Sequence, residues 1–405
     1  MFGGCVRDRF SAIISGCRDG CRNVYSSVCD GHNGSRWGCA VHVFRRITIA
    51  LMGVLCFFPK AVAVSLDSIV NLPAMGVPVI NYTPETSWEF GAAAQGYFCL
   101  PGQNKTSIIQ LDGAYTLKHQ WYVNTQGTIY FGGLTPWQLQ YKAGYSHRPT
   151  AFYGVGNQGT TDIGMLRRGV PFDLQRGYVD IQTRIGVGNN WSVGPVFDFQ
   201  HQRTALSDSL TPYPTLLEWG LGVVAQYDTR DKVFYPSRGL FFKAGVVHYE
   251  QALGSTARIT MLHIDLRRFV PLPHDFTWAW QLRSQCALSA GDVPYPMLPC
   301  LGGPDGLRGI NKSMFRDDIL IALQTEMRIP LWSIFRATVF AGIGDVYDIH
   351  DWQWAVPKVS YGLGARMSVN KAKVNIRFDV ARSNVDPRWN TVDAYSFYLT
   401  ATEAF

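Results

Sequence analysis

From Pro78 onward the chain alternates apolar and polar side chains in short segments separated by turn residues. A period of two places successive side chains on opposite faces of a strand. The clearest case is Lys371 to Ser383. Lys373, Asn375, Arg377 and Asp379 share one face; Ala372, Val374, Ile376, Phe378 and Val380 share the other. Between Ile319 and Ile329, Ala322, Gln324, Glu326 and Arg328 oppose Ile321, Leu323, Met327 and Ile329. Between Phe276 and Leu288, Trp278, Trp280 and Leu282 oppose Ala279, Gln281, Arg283 and Gln285. The rule repeats without an amphipathic helix, whereas a soluble protein of this size usually needs helices or a second sheet to cover its apolar faces. This is the pattern of a transmembrane β-barrel.

Strands are expected at approximately 76–83, 88–100, 106–118, 119–131, 137–148, 172–187, 190–203, 217–229, 239–251, 256–269, 275–289, 317–330, 334–346, 357–369, 371–384 and 392–405. Fifteen of these are plain from Trp88 on. A single-chain barrel of this type has an even number, so Val77 to Thr83, ended by Pro84-Glu85-Thr86, is taken as the first strand. Trp88, Trp137, Trp191, Trp219 and Tyr395 lie near segment ends, where interfacial aromatic girdles belong.

Composition narrows the class further. The 405 residues are 47% hydrophobic and only 17% charged, with 40 glycines, which suits strands apolar on one face. The one long apolar run, Ile47 to Pro59, is too short to span a bilayer as a helix, so a membrane protein of this sequence must be a closed barrel. That run follows Arg45-Arg46 and precedes Ala61-Val62-Ala63, the three parts of a signal peptide. Residues 1–63 are therefore read as a leader, 64–75 as a short periplasmic segment and 76–405 as the barrel. Residues 1–44 hold Cys5, Cys17, Cys21, Cys29 and Cys39 without periodicity, which fits either a translation start assigned too early or a long leader. Cys17-x3-Cys21 lacks a well-spaced second pair, so zinc is not expected. Removing the leader takes six of nine cysteines and lowers the net charge from +7 to +2. Nothing in the mature chain then argues for nucleic acid.

One stretch stands apart from the alternation: Leu301-Gly302-Gly303-Pro304-Asp305-Gly306-Leu307-Arg308-Gly309-Ile310. Its glycines permit tight turns and close packing. Its arginine, always protonated, needs a carboxylate if it is held away from water. Placed between expected strands eleven and twelve, such a loop is expected to fold back into the lumen.

These residues carry a resemblance. Tyr227-Asp228-Thr229-Arg230-Asp231 followed by Phe234-Tyr235-Pro236-Ser237-Arg238-Gly239 is similar to the strand-turn-strand signature of the bacterial surface antigen superfamily, the BamA/TamA group with the two-partner-secretion transporters. Gly302-Gly303 with Leu307-Arg308-Gly309-Ile310 resembles its loop motif V-R-G-F/Y, and Glu326-Met327-Arg328-Ile329-Pro330-Leu331 resembles the strand after that loop. The match is strongest over 217–405. Phe152-Tyr153-Gly154-Val155-Gly156-Asn157 and Tyr82-Thr83-Pro84-Glu85-Thr86 look like signatures of short, barrel-only members. The resemblance implies an all-β, sixteen-stranded antiparallel outer-membrane barrel whose Arg308 docks on the inner wall. Its usual acceptor is the acid of an F-x-D-x-G motif on strand thirteen. Here that motif reads Phe340-Ala341-Gly342-Ile343-Gly344, so Gly342 stands in the acid's place and Glu326 is the expected partner. Asp345, of opposite parity, is expected to point outward or to lie in the turn. The residues before strand one are too few for a periplasmic POTRA module.

Phe405, with Phe397 and Leu399 as outward partners, resembles the C-terminal assembly signal of outer-membrane proteins, although Glu403 interrupts the apolar series. The expected partners are outer-membrane lipid, the barrel assembly machinery and a periplasmic protein supplying the POTRA function. No catalytic set is expected: G-x-S-x-G is absent, and Ser146-His147 are adjacent on a strand and face opposite ways. His263, Asp265 and Arg267 read as a lumenal polar network rather than a metal site, and no cofactor is implied. Three roles follow: an assembly or secretion pore working with a separate partner, a passive channel, or an anchor displaying extracellular loops at Thr150 to Pro171 and Ala205 to Thr215.

Overall fold

Sixteen antiparallel strands close into a barrel among the described residues. In this computed structural model these are 74–400 apart from 84–86, 102, 104, 133–136, 149, 158–168, 205–214, 234, 304–305, 313, 333, 355–356, 369–374 and 386–394. The expected leader and Phe405 lie outside them. The strands are β1 Ala74–Thr83, β2 Ser87–Phe98, β3 Ser107–Thr116, β4 Trp121–Phe131, β5 Trp137–His147, β6 Leu174–Gly188, β7 Trp191–Thr204 and β8 Thr215–Asp228. They continue as β9 Gly239–Tyr249, β10 Ile259–Pro271, β11 Thr277–Ser289, β12 Ile319–Trp332, β13 Phe335–Tyr347, β14 Lys358–Ser368, β15 Asn375–Ser383 and β16 Ser396–Thr400. The strand that parity selected is β1. It pairs with β2 from Ala74↔Gly96 to Thr83↔Ser87 and closes the ring on β16 through Ile80↔Leu399, Asn81↔Tyr398 and Tyr82↔Phe397.

The wall is apolar outside and polar inside, the reverse of a soluble protein. Along β12, Ile321 and Leu323 are exposed, whereas Gln324, Glu326 and Arg328 are buried. Half-buried Phe397 and Leu399 flank buried Tyr398 on β16.

The connections sort by rim. At one rim they are mostly short, such as 189–190, 272–276 and 333–334; at the other they include 148–173, 290–318 and 348–357. Long loops face outward in outer-membrane barrels, which makes the second rim extracellular. There a hairpin of Thr150–Phe152 with Val170–Phe172 packs Phe152 and Phe172 against Tyr295, at ring-centre distances of 4.8 and 6.2 Å. From beneath it the 290–318 loop enters the barrel. Leu301, Leu307, Ile310, Met314 and Phe315 pack with Tyr153 and with Leu320, Ala322 and Val346 of the wall. Each leucine so buried contributes about 1.5–3 kcal/mol, so the loop is held by packing before any charge is considered.

Candidate functional site

The loop's tip is shaped by its own backbone. Leu307 N–H donates to Leu301 O (3.0 Å), Gly303 N–H to Ile310 O (3.0 Å) and Leu301 N–H to Phe315 O (3.2 Å). Gly303 and Gly309 have φ of +105° and +88°, values that only glycine adopts without strain. Gly309 also lies so close to β15 that a Cβ there would stand 2.8 Å from Arg382 N. The tight turn and this close approach aim Arg308 at the wall.

Arg308, 1% exposed, is gripped by successive strands. Its Nη1 donates to Asp379 Oδ2 on β15 (2.7 Å) and its Nη2 to Glu326 Oε2 on β12 (3.2 Å). Its guanidinium carbon lies 3.5 Å from the centre of the Phe340 ring on β13. Ser360 Oγ on β14 donates to its carbonyl oxygen, and the next residue, Gly309, donates N–H to Tyr398 Oη on β16 (3.2 Å). Five neighbouring strands therefore meet two loop residues.

Two carboxylates carry the cluster. Glu326 also accepts from Arg328 Nε (2.9 Å) and Arg366 Nη2 (3.4 Å). Asp379 also accepts from Arg366 Nη1 (2.6 Å) and pairs with Arg377 Nε (3.4 Å). Among the described residues, four guanidinium groups thus share two fully buried acids, a formal excess of two positive charges within that set.

Around this core the sequence expectations sort themselves. Glu326 is one partner of Arg308, but the shorter contact is to Asp379, which alternation placed on the inner face without linking it to the loop. At Gly342 a Cβ would lie 2.6 Å from Leu307 Cδ2, so the space is filled by the loop's leucine instead of an acid. Asp345, of opposite parity, is nevertheless 2% exposed and accepts from Lys358 Nζ (2.7 Å). Asp345 is still paired with Ile321 of β12, but the last β13–β14 pair is Gly344↔Lys358, so at this height β13 has a strand partner on one side only. Arg267 Nε donates to Asp265 Oδ1 (2.9 Å), and Gln281 Nε2 donates to the same oxygen (2.8 Å), a polar network on the wall. Cys99, Cys286 and Cys300 are free thiols.

The opposite side of the lumen is lined by amides. Gln95 Nε2 donates to Gln110 Oε1 (2.8 Å), Gln110 to Asp112 (2.9 Å), Asn124 to Asp112 (3.2 Å) and Tyr178 Oη to Asn124 (3.1 Å). Further round, Arg184 Nη2 donates to Gln140 Oε1 (3.0 Å) and Gln182 Nε2 to Asp180 Oδ1 (2.9 Å). Lys142, on the inward parity of β5, is exposed.

Where the loop rejoins β12, carboxylate oxygens of Asp317, Asp318 and Asp348 lie within 4.8 Å of one another. Burial pushes Asp317 up to about 6; repulsion from Asp318, Asp348 and Asp345 adds to this, and the Asp318 N–H opposes it. A raised carboxylate binds more protons folded than unfolded, so its contribution to stability falls as pH rises between its ordinary value of 3.8 and about 6. Asp317→Asn is therefore expected to stabilise the barrel at pH 7.5 and to flatten the decline over that window. Thermal scans at pH 4, 5, 6 and 7.5 check this; parallel curves for parent and variant would remove Asp317 from the account.

The Omp85 superfamily domain matches residues 130–405. The chain belongs to the Omp85 superfamily. No curated protein matches it in sequence. Among solved structures, this Omp85 barrel is similar to BamA from Haemophilus ducreyi lacking POTRA domains 1–3, with a TM-score of 0.55 at 12% identity over 82% of this chain and 71% of that one. CdiB from Acinetobacter baumannii gives a TM-score of 0.55 at 12% identity, covering 80% of this chain and 59% of its own. CdiB from Escherichia coli gives 0.52 at 14%, covering 84% and 62%. The Omp85 chain thus spans less than two thirds of either CdiB. Identities this low speak for the fold alone; the superfamily match makes it an outer-membrane barrel of the translocation and assembly class.

Proposed function

We propose that this barrel passes or inserts extended polypeptide delivered by a separate periplasmic partner, with the 290–318 loop closing the lumen at rest. The observation that carries this reading is the way Arg308 is held. A loop meant only to fill space would need apolar packing alone, which Leu301, Leu307 and Phe315 already supply. Adding charge pairs at the tip places the hold at one exchangeable point, and a polar chain entering the lumen can compete for Glu326 and Asp379. A second reading, a passive channel for small hydrophilic solutes, is favoured by the amide-lined wall from β2 to β6 and by exposed Lys142.

Photo-crosslinking distinguishes them. A photoreactive residue at Gln140 or Lys142 in intact cells is expected to trap polypeptide in transit. Steady ion conductance in planar bilayers with no polypeptide crosslink would instead establish the passive channel.

A further inference from the structure

The signature turn between β8 and β9, at residues 229–238, sits at the rim opposite the loop, yet it too folds into the barrel. Tyr235 and Pro236 are buried. The turn is braced internally: the Asp231 carboxylate accepts from Ser237 N–H (2.9 Å), Ser237 Oγ (2.6 Å) and Arg238 N–H (3.2 Å). Arg230 Nη2 donates to Asp228 Oδ2 (2.8 Å), and Thr229 N–H donates to Leu240 O (2.9 Å). A turn braced in this way moves as a body rather than fraying.

Its inner end is held by Arg328. Arg328 Nη1 donates to Pro236 O (2.9 Å), and its guanidinium lies 4.6 Å from the Tyr235 ring centre and 5.4 Å from that of Phe269. Arg336 of β13 lies 5.0 Å from the same tyrosine ring. The other side of the Arg328 fork is the 2.9 Å bond from Nε to Glu326 Oε1, while Oε2 of that carboxylate receives Arg308 from the extracellular loop at 3.2 Å. The two groups that link Pro236 to Arg308, Arg328 and Glu326, are each at most 1% exposed. Water cannot replace a lost partner there, so a carboxylate that loses one guanidinium must re-centre on the others.

We propose that Glu326 ties the extracellular loop to the periplasmic β8–β9 turn, so that displacing either end loosens the other. Pressure on the turn at Tyr235 draws Arg328 from Pro236 and from Oε1, and the freed carboxylate relaxes its hold on Arg308. The tie holds whatever the barrel carries, because it rests on contacts within the barrel itself. It gives the periplasmic rim a way to report engagement to the loop that fills the lumen.

Hydrogen exchange on the full-length barrel in detergent tests it, following peptides from 229–238 and 306–312. Tyr235→Ala, a change at the periplasmic rim, is expected to speed exchange in 306–312 by about tenfold, and Arg308→Ala is expected to do the same in 229–238. Arg328→Lys keeps a charge beside Glu326 but loses the planar fork, and is expected to speed both. Asn311→Ala, which loses the 3.3 Å contact to Tyr153 Oη, should loosen the loop and leave the turn unchanged. An unchanged loop in Tyr235→Ala overturns the tie, as does an unchanged turn in Arg308→Ala when the loop itself opens. Equal acceleration in β2–β5 peptides, remote from the cluster, marks general loosening and also overturns it. If Arg308→Ala does not assemble, the Tyr235→Ala and Arg328→Lys results decide.

Discussion

Glu326→Gln unfolds the barrel at a lower temperature than any single arginine substitution in the same cluster. The reason is the charge imbalance. Four guanidinium groups rest on Glu326 and Asp379, and both acids are 0% exposed. Glutamine fills the same volume but removes one of two negative charges, raising the positive excess from two to three. Its amide nitrogen is also a donor placed among donors. Breaking a buried pair from one side costs about 3–5 kcal/mol because the surviving charges stay buried, and here three arginines lose a partner at once. The temperature at which the compact barrel becomes the slower-migrating unfolded form on gels reads this directly. A midpoint for Glu326→Gln equal to or above that of Arg308→Ala would contradict the ranking.

Arg308→Ala has the larger effect on the pore. Removing this charge lowers the positive excess, and Arg328, Arg366 and Arg377 still occupy the acids, which moderates the loss of stability. What disappears is the grip on the loop: both carboxylate bonds and the contact with Phe340, the latter worth about 2 kcal/mol when desolvated. The expected result is a lower unfolding midpoint together with a higher, steadier conductance in planar bilayers. Arg308→Lys should fall between parent and alanine, because an ammonium cannot reach two carboxylates as a planar fork does. An alanine variant indistinguishable from the parent in both assays would show that the apolar packing alone retains the loop.

Much of this architecture is legible in the alternation. The period of two assigns faces, parity supplies β1, and counting puts the glycine-rich loop between β11 and β12. Glu326 follows from its inward position on the next strand. Asp379 does not, for a physical reason: alternation reports which way a side chain points but not its height in the barrel. Height depends on the stagger accumulated from strand to strand, and that stagger brings β15 level with β12 at the loop tip. The signal available was the run Lys373, Asn375, Arg377, Asp379, a polar face whose single acid needed an inward cation. The burial of Asp345 escaped because alternation does not report that β13 outruns β14 there and that Lys358 comes within reach. The inward fold of 229–238 escaped because a turn signature describes local geometry and not what the turn leans on.

The partners of Arg308 and Gly309 also carry a chronology. Glu326, Phe340, Ser360, Asp379 and Tyr398 all come later in the chain, the last of them on the strand that meets β1 at Tyr82↔Phe397. An unfinished barrel therefore offers the loop an incomplete receptor, and each added stave supplies one more contact. Seating of the arginine becomes the signature of a completed cylinder: a chain stopped before Asp379 retains an unseated loop, open to proteases that the finished protein resists.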